Sequence, residues 1–262
     1  MSPSSPGSPA PLPTAPQPAA ERPSAVWSAG LLLTVELPSR DCTLCPRLAE
    51  FREIQRAGHP DWFNAPVPSF GAEAAELLIV GLAPGLRGAN RTGRPFTGDY
   101  AGELLYATLR KFGLAAGRYD ARADDGLALV GARITNAVRC VPPQNKPEPR
   151  EIAACRRFLA QEIAATPELR AYVALGAIAH DAVLSTLGLR RALYRFGHGA
   201  VHTLPDGRLL ADSYHCSRLN TNTGKLTPAM FEAVFAEVLD RLEPGRGGRA
   251  MRQTHGTVAE PR

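Results

Sequence analysis

The sequence predicts an α/β protein, specifically a three-layer α/β/α sandwich with a mostly parallel central sheet. Short apolar runs, of which Leu77–Val80 is the clearest, alternate along the chain with segments whose apolar residues recur at helical spacing. Strands that alternate with helices are typical of parallel sheets covered on both faces. A chain of 262 residues that is 44% hydrophobic is long enough and apolar enough to build one such core.

The predicted elements follow from these periodicities, since strands are short apolar runs and helices are longer segments with apolar residues three or four apart. In chain order they are a helix at Cys42–Ala57, a strand at Glu76–Gly81, a helix at Asp99–Leu114, a strand at Ala132–Val138, a helix at Pro149–Ala165, a strand at Ala171–Leu175, a helix at Ala177–Leu187, a hairpin of Val201–Leu204 and Arg208–Ser213, and a helix at Thr227–Leu242. Pro205, Asp206 and Gly207 supply the hairpin turn. Thr227 and Pro228 are a typical cap and first residue of a helix.

Both ends of the chain lack periodic apolar residues, so the folded domain is predicted at 25–245. Residues 1–24 are rich in proline and bury too little surface to offset the entropy of ordering, which predicts a disordered tail. Residues 246–262 predict a flexible basic tail. No secretory signal and no run approaching the ~20 apolar residues of a membrane span is visible, so a cytoplasmic location is expected. The net charge of +5 permits nucleic-acid binding without requiring it.

A polar loop of nineteen residues, Gly81–Asp99, joins the first predicted strand to the next helix. Its five glycines allow the backbone to approach a ligand closely, and its three arginines make it cationic. Loops at the carboxyl ends of strands carry the chemistry of open α/β sheets, and connectors this long are uncommon unless they are functional or disordered. The composition therefore predicts a ligand site.

Four of the five cysteines are candidates for a metal site. Cys42 and Cys45 form a C-x-x-C pair, Cys140 ends a strand, and Cys155 lies in the following helix. Four thiolates suit either structural zinc or an iron–sulfur cluster, and the fourteen residues between the last two favour a cluster. A disulfide is a third interpretation, and the fourth is that Cys140 and Cys155 are small buried hydrophobic residues.

Two more polar side chains follow predicted strands. His215, after the last strand, is either a structural histidine or a donor to a developing negative charge. Asn136 lies in an apolar strand, so its amide either bonds to local backbone or is held for a ligand such as a base edge. A phosphate-binding P-loop around Lys225 is excluded, because Leu219 and Leu226 replace the glycine and the hydroxyl residue that it needs.

Together these motifs resemble the uracil-DNA glycosylase superfamily, and specifically its family 5, the iron–sulfur type B enzymes. The matching segments, spread over residues 42–242, are Gly81–Gly85, Asn90–Asp99, Thr135–Cys140, Tyr214–Ser217 with Asn220, and Thr223–Thr227. The resemblance implies a monomer that hydrolyses uracil, and other deaminated or damaged bases, from double-stranded DNA. It also implies a [4Fe-4S] cluster whose ligands are Cys42, Cys45, Cys140 and Cys155.

The resemblance implies a base pocket around the long loop. Phe96 stacks on the extruded base, Asn136 hydrogen-bonds its edge, and Gly81 and Ala83 belong to the pocket wall. His215 stabilises the charge that builds on the base oxygen as the glycosidic bond breaks.

The resemblance also implies a DNA-binding set. Leu219 fills the space that the extruded base leaves in the stack, and Arg91, Arg218 and Lys225 contact DNA.

The sequence departs from the family pattern at two places. Leu82 and Ala83 are apolar where related enzymes carry a polar residue that positions water, so Asn90 and Asp99 are the candidates for that role. Cys216 replaces a proline, which predicts a looser loop. No lysine is placed for a Schiff base. The alternatives are a metal-containing nucleic-acid-binding module without catalysis, and another α/β hydrolase that acts on a nucleotide.

Overall fold

The computed structural model describes residues 37–247, so the predicted tail at 1–24 and most of that at 246–262 lie outside the described residues. Arg246 and Gly247 hydrogen-bond to the end of the last helix. The strands are β1 (Phe70–Gly71), β2 (Leu77–Gly81), β3 (Ala115–Ala116), β4 (Ala128–Leu129), β5 (Ala132–Asn136), β6 (Ala171–Leu175), β7 (Val201–Thr203) and β8 (Leu209–Ser213). The α-helices are α1 (Pro46–Gly58), α2 (Ala89–Thr92), α3 (Tyr100–Lys111), α4 (Pro149–Ala164), α5 (Ala177–Thr186), α6 (Arg218–Asn222) and α7 (Pro228–Leu242).

Six of these strands form one sheet in the order β1-β5-β2-β6-β8-β7. The central strands β5, β2, β6 and β8 are parallel, and the two edge strands pair antiparallel to their neighbours. The prediction of a mixed α/β fold with a mostly parallel sheet is confirmed. Strands β3 and β4 form a separate two-stranded ribbon.

The sheet is covered on both faces, because successive residues of a strand point to opposite sides. In β2, Leu77 and Ile79 belong to one apolar cluster with residues of α3 and α7, whereas Leu78 and Val80 belong to another with residues of α4 and α5. Every residue of β2 is buried, which explains why the sequence shows a continuous apolar run there instead of alternation. Helices therefore lie on both sides of the sheet.

The predicted boundaries differ from the observed ones mainly at helix ends and in the loops. Helix α1 begins at Pro46 and not at Cys42, because Cys45 is in extended conformation at the N-cap and proline suits the first helical position. Helix α3 ends at Lys111, and Gly113 beyond it adopts a left-handed φ of +69°. The long loop contains the short helix α2, and α6 follows the His segment; neither was predicted.

The register of the parallel strands places their carboxyl ends at one edge of the sheet. Gly81 at the end of β2 is opposite Asn136 at the end of β5, and Leu175 of β6 is opposite Ser213 of β8. The long loop and the His215 segment therefore leave the sheet at the same edge. Within the described residues, no helix is long and apolar enough to cross a membrane.

Candidate active site

A cleft of about 670 Å³ opens at this edge of the sheet. It brings together residues that are far apart in the sequence, and its lining includes Ala83, Phe96, Asp99, Asn136, His215 and Arg218. The volume is within the ~300–1,000 Å³ typical of small-molecule sites. Most members of the predicted base pocket thus share one cavity.

Gly81 is the contact point between Phe96 and Asn136. A Cβ atom at position 81 would lie 2.6 Å from Cζ of Phe96 and would also clash with Oδ1 of Asn136. Phe96 itself has a φ of +53°, a left-handed conformation that is uncommon for a bulky residue. Such strain is typical of functional sites. Glycine at position 81 therefore allows the ring and the amide to line the same pocket.

Asn136 has the features of an amide held for a ligand. It is only 3% exposed, and its Oδ1 has no hydrogen-bond partner within the described part of the chain. An unpaired buried polar group costs about 1–3 kcal/mol. A ligand that donates a hydrogen bond to this oxygen recovers that free energy.

His215 faces Phe96 across the pocket, with ring centroids 5.9 Å apart and planes inclined by 30°. Burial lowers the pKa of His215, so the ring is neutral at neutral pH. A neutral imidazole has one N–H to donate and adds no cation to an apolar pocket. The backbone carbonyl of His215 accepts a hydrogen bond of 2.8 Å from Nδ2 of Asn220.

The two candidates for positioning water occupy different environments. Asn90 is buried in α2, and its Nδ2 donates to Oδ1 of Asn64 over 2.9 Å; it is not among the residues lining the cleft. Asp99 lines the cleft, makes no capping hydrogen bond to α3, and has an Oδ1 that is shielded from solvent without a partner in the described residues. Burial raises the pKa of Asp99. A Cβ atom at Gly88 would lie 2.7 Å from Cγ of Asp99, so this glycine makes room for the carboxylate.

The three arginines of the loop do not form one cationic surface. Arg94 is only 4% exposed and pairs with Asp125 through contacts of 2.8 and 2.7 Å. Its guanidinium also lies over the rings of Phe70, Tyr106 and Tyr119. Arg91 is exposed, with its Nε bonded to the carbonyl of Arg87. The interpretation of the whole loop as cationic was therefore wrong for Arg94, which holds the loop in place.

The predicted DNA-contacting residues Arg218, Leu219 and Lys225 are exposed beside the cleft. Leu219 is 72% exposed, which is unusual for a leucine. Arg218 lies over the ring of Tyr100 at 5.3 Å, and Lys225 lies 4.7 Å from the ring centroid of Tyr214. Sequence reasoning had assigned no role to either tyrosine.

Cys216 is fully buried in the core cluster that contains residues of α7. Burial raises the pKa of its thiol, which therefore stays protonated at neutral pH. A side chain packed this deeply anchors the loop. The buried Cys216 side chain therefore constrains the loop, although position 216 lacks the fixed φ of a proline.

Cys42, Cys45, Cys140 and Cys155 all contact one apolar cluster built on Leu48, Val138 and Phe158. None of the four forms a disulfide within the described residues. Burial raises the pKa of Cys45 to about 11 and that of Cys140 to about 12, so these thiols need a cation to become thiolates at neutral pH.

Two sulfurs already accept hydrogen bonds. The backbone N–H of Arg139 donates to Sγ of Cys155 over 3.3 Å, and Nη1 of Arg52 donates to Sγ of Cys140 over 3.8 Å. Donors of this kind support metal-bound thiolates.

The cysteine sulfurs are not closely grouped in the described residues. Within residues 37–247, the one set of three potential ligand atoms mutually within 4.8 Å consists of His180, His202 and Asp212, so no three of the cysteine sulfurs are that close. Tetrahedral zinc with Zn–S bonds of ~2.3 Å needs sulfurs about 4 Å apart. The sulfurs of the described residues are therefore not arranged as a tetrahedral zinc site.

The fold and the cleft define the class: an α/β protein with a ligand-sized cleft at the carboxyl edge of a parallel sheet, where α/β enzymes place their active sites. The family model described as the uracil DNA glycosylase superfamily matches residues 68–239. The chain therefore belongs to the uracil-DNA glycosylase superfamily, and the resemblance seen in its motifs is confirmed.

Several relatives are named type-5 uracil-DNA glycosylases. A protein of Thermus thermophilus is 50% identical over 202 residues, which cover 75% of this chain and 91% of that protein. One of Mycobacterium tuberculosis is 43% identical over 204 residues, covering 75% and 76%. One of Pyrobaculum aerophilum is 40% identical over 211 residues, covering 79% and 90%.

Proposed function

We propose that the protein removes uracil from double-stranded DNA by hydrolysis of the N-glycosidic bond and leaves an abasic site. The observation that carries this proposal is the pair of shielded oxygens without protein partners, Oδ1 of Asn136 and Oδ1 of Asp99, in the cleft that Phe96 lines. A planar ligand with N–H groups satisfies the first, and a water molecule satisfies the second.

In the proposed complex the extruded base lies against Phe96 and donates an N–H to Oδ1 of Asn136. The neutral His215 donates its N–H to the base oxygen on which negative charge builds as the bond breaks. The pocket does not have to reorganise for this step, because the low pKa of His215 keeps the ring in the donor form with no net charge. The glycine at position 81 allows Phe96 and Asn136 to line one pocket, and His215 faces Phe96 within the same cleft.

We propose Asp99 rather than Asn90 as the residue that orients and deprotonates the attacking water. Asp99 lines the cleft and keeps a free oxygen, whereas the Nδ2 of Asn90 is committed to Asn64. Its raised pKa makes the carboxylate a stronger base than an exposed aspartate.

The exposed groups beside the cleft complete the proposal. Leu219 inserts into the base stack, and Arg218, Lys225 and Arg91 contact the DNA backbone. Extrusion costs a few kcal/mol and is easiest for a mispaired base, which favours uracil opposite guanine. We propose that the domain at 25–245 acts as a monomer on chromosomal DNA in the cytoplasm, and that it accepts other deaminated bases.

The four cysteines would hold a [4Fe-4S] cluster, and the supporting observations are the apolar cluster that they share and the hydrogen bonds that the sulfurs of Cys140 and Cys155 accept. When bound, such a cluster supplies metal–thiolate bonds that cross-link the segment before α1 to the loop after β5 and to α4. Protein purified without oxygen should contain iron and sulfide and little zinc.

The decisive experiment is incubation of the whole protein with duplexes containing uracil opposite each normal base. We expect free uracil and an alkali-labile abasic site, and no strand cleavage before alkali. His215→Ala should lower the single-turnover rate by about 10²–10³ with little loss of DNA binding. Tight binding to the uracil duplex without base release would instead support the nucleic-acid-binding module.

A further inference from the structure

The backbone next to His215 is hydrogen-bonded to a loop that has no role in the proposed function. This loop, residues 194–200, precedes β7 and reaches the carboxyl edge of the sheet beside β8. Within it, Nδ1 of His198 accepts a hydrogen bond of 3.2 Å from the backbone N–H of Tyr214, the residue directly before His215. With the Asn220 amide on the carbonyl of His215, the segment is fixed on both sides of its functional side chain.

The loop that carries His198 is itself rigidly attached. Asp212, whose side chain is fully buried at the end of β8, contacts Nδ1 of His180 at 2.7 Å and accepts a bond of 3.3 Å from the N–H of Gly197. The carbonyl of Asp212 accepts a further bond of 2.9 Å from the N–H of Gly199. His198 is therefore held between two residues whose N–H groups bond to the same buried aspartate.

The ring of His198 also stacks on Tyr214, with centroids 5.0 Å apart and planes inclined by 18°. Lys225 lies over the same tyrosine ring. The hydroxyl of Ser213, 3.5 Å from Nδ1, and the backbone of Met230 in α7 complete the polar surroundings of the imidazole. Among the described residues, the charged or titratable groups around His198 are therefore Tyr214, Lys225 over the same tyrosine ring, and Asp212, which accepts hydrogen bonds from the N–H groups of Gly197 and Gly199.

We propose that His198 is a positioning residue for His215, in which an unprotonated Nδ1 fixes the peptide of Tyr214 and so the direction in which His215 points into the cleft. This inference rests on the proposed function of His215. Because a backbone N–H can only donate, Nδ1 must accept, and the ring proton must be on Nε2. Protonation of Nδ1 would put two N–H groups opposite each other and release the segment.

Two substitutions separate the hydrogen bond from the stacking. His198→Asn places an amide oxygen near the position of Nδ1 and does not titrate, whereas His198→Phe keeps a ring without an acceptor. In single-turnover excision from a uracil duplex, we expect the phenylalanine variant to be slower by about tenfold to 10²-fold, as misplacement of a reacting group implies. The asparagine variant should stay within about threefold of the wild type. Binding to an abasic duplex should be the same for all three proteins.

The excision rate below neutral pH distinguishes a positioning role of His198 from a purely structural one, because only a positioning role makes the rate depend on the protonation of His198. Burial lowers the pKa of His198, so the contact is complete at neutral pH and is lost as the pH falls through that pKa. The ratio of wild-type to His198→Asn rates should therefore fall with falling pH. A constant ratio, or a folded phenylalanine variant as fast as the wild type, would overturn the proposal.

An NMR titration tests the contact between His198 and Tyr214 without an excision assay, and therefore independently of the proposed function. In ¹⁵N-labelled wild-type protein, the amide proton of Tyr214 should titrate with the same midpoint as the ring protons of His198, and in His198→Asn it should not titrate. An amide proton that ignores the ionisation of His198 would remove the contact on which the proposal stands. If the amide titrates but the wild type releases no uracil, the contact stands, but the proposed function falls and the positioning role with it.

Discussion

Two aspartates near the long loop, Asp99 and Asp125, have opposite pKa shifts, although the side chain of Asp125 and the Oδ1 of Asp99 are both shielded from solvent. Asp125 pairs with Arg94 through two contacts and accepts backbone N–H bonds from Asp120 and Leu127, and Arg94 lowers its pKa. Asp99 has a shielded oxygen without a partner in the described residues, and burial raises its pKa. The first carboxylate is part of the scaffold, whereas the second is left available to a ligand.

The same contrast separates two buried asparagines. Asn64 bonds through Nδ2 to the carbonyl of His59 and through Oδ1 to the amide of Asn90. Asn136 is equally buried and lines the cleft, but its Oδ1 has no partner among the described residues. Burial alone therefore does not identify a functional polar group in this fold; an unsatisfied atom that faces the cleft does.

The largest effect is expected for Asp99→Asn. Loss of the proposed general base should lower the single-turnover rate by about 10²–10⁴. The midpoint of thermal unfolding should stay unchanged or rise, because the variant removes a charge whose ionisation is opposed by burial. Rapid-quench excision assays and thermal melts on the same preparations test both halves, and a variant that keeps its rate would return Asn90 to consideration.

Asp125→Asn should show the reverse pattern. It leaves the guanidinium of Arg94 buried without its counter-charge, and breaking a buried pair costs about 3–5 kcal/mol. Denaturant unfolding should show this loss of stability. If the variant is instead as stable as the wild type and selectively loses activity, Asp125 belongs to the site and the comparison between the two aspartates fails.

This comparison also shows how far the sequence alone could go. The strands were predictable because β2 and β6 are buried on both faces, which leaves continuous apolar runs. Asn136 and His215 were recognisable because polar residues stood at strand ends. Residue types could not separate Arg94 from Arg91, since the partner of Arg94 is 31 residues away in sequence. They could not rank Asp99 above Asn90 either, because both are polar residues of one loop.

Short elements were beyond prediction for a different reason. Strands of two residues such as β1 and β3 are too short to show a period, and helix α2 has only four residues. These elements exist because tertiary contacts hold them. Phe70 of β1, for example, lies under the guanidinium of Arg94.

An intermediate effect is expected for Asn136→Ala. Loss of the acceptor for a base N–H should cost about 1–3 kcal/mol, or roughly 5- to 150-fold in kcat/KM. The fold should be little affected, since no protein donor loses its partner at Oδ1. The matched control is Asn64→Ala, which should lower the free energy of unfolding because it leaves the amide of Asn90 unpaired. Equal losses of stability in both variants would contradict the distinction.

The pH dependence follows from the opposite signs of the two aspartate shifts. A base must be ionised, so the wild-type rate should fall tenfold per pH unit below the raised pKa of Asp99, and Asp99→Asn should lack that limb. For stability, ionisation of Asp99 opposes folding as the pH rises from 3.8 to its folded pKa. The pairing of Asp125 stabilises the fold above 3.8 and is lost as the pH falls through its lowered pKa. As the pH falls, the rate and the contribution of Asp125 to stability should both decrease, whereas the contribution of Asp99 to stability should increase; comparing the wild type with each asparagine variant separates the two contributions.

The smallest effect is expected at the exposed edge of the cleft, for Lys225→Gln. One phosphate contact fewer should weaken DNA binding a few-fold at low salt and reduce the slope of log affinity against log salt by about 1, without changing the chemical step. The matched control is Arg241→Gln, which removes an exposed cation near the end of α7. This end of α7 lies at the opposite edge of the sheet, because the carbonyl of Leu242 accepts a hydrogen bond from Arg170, just before β6. Because no DNA is expected there, its salt slope should equal that of the wild type. If both variants have the same slope of log affinity against log salt, Lys225 packs on Tyr214 and does not contact DNA phosphates.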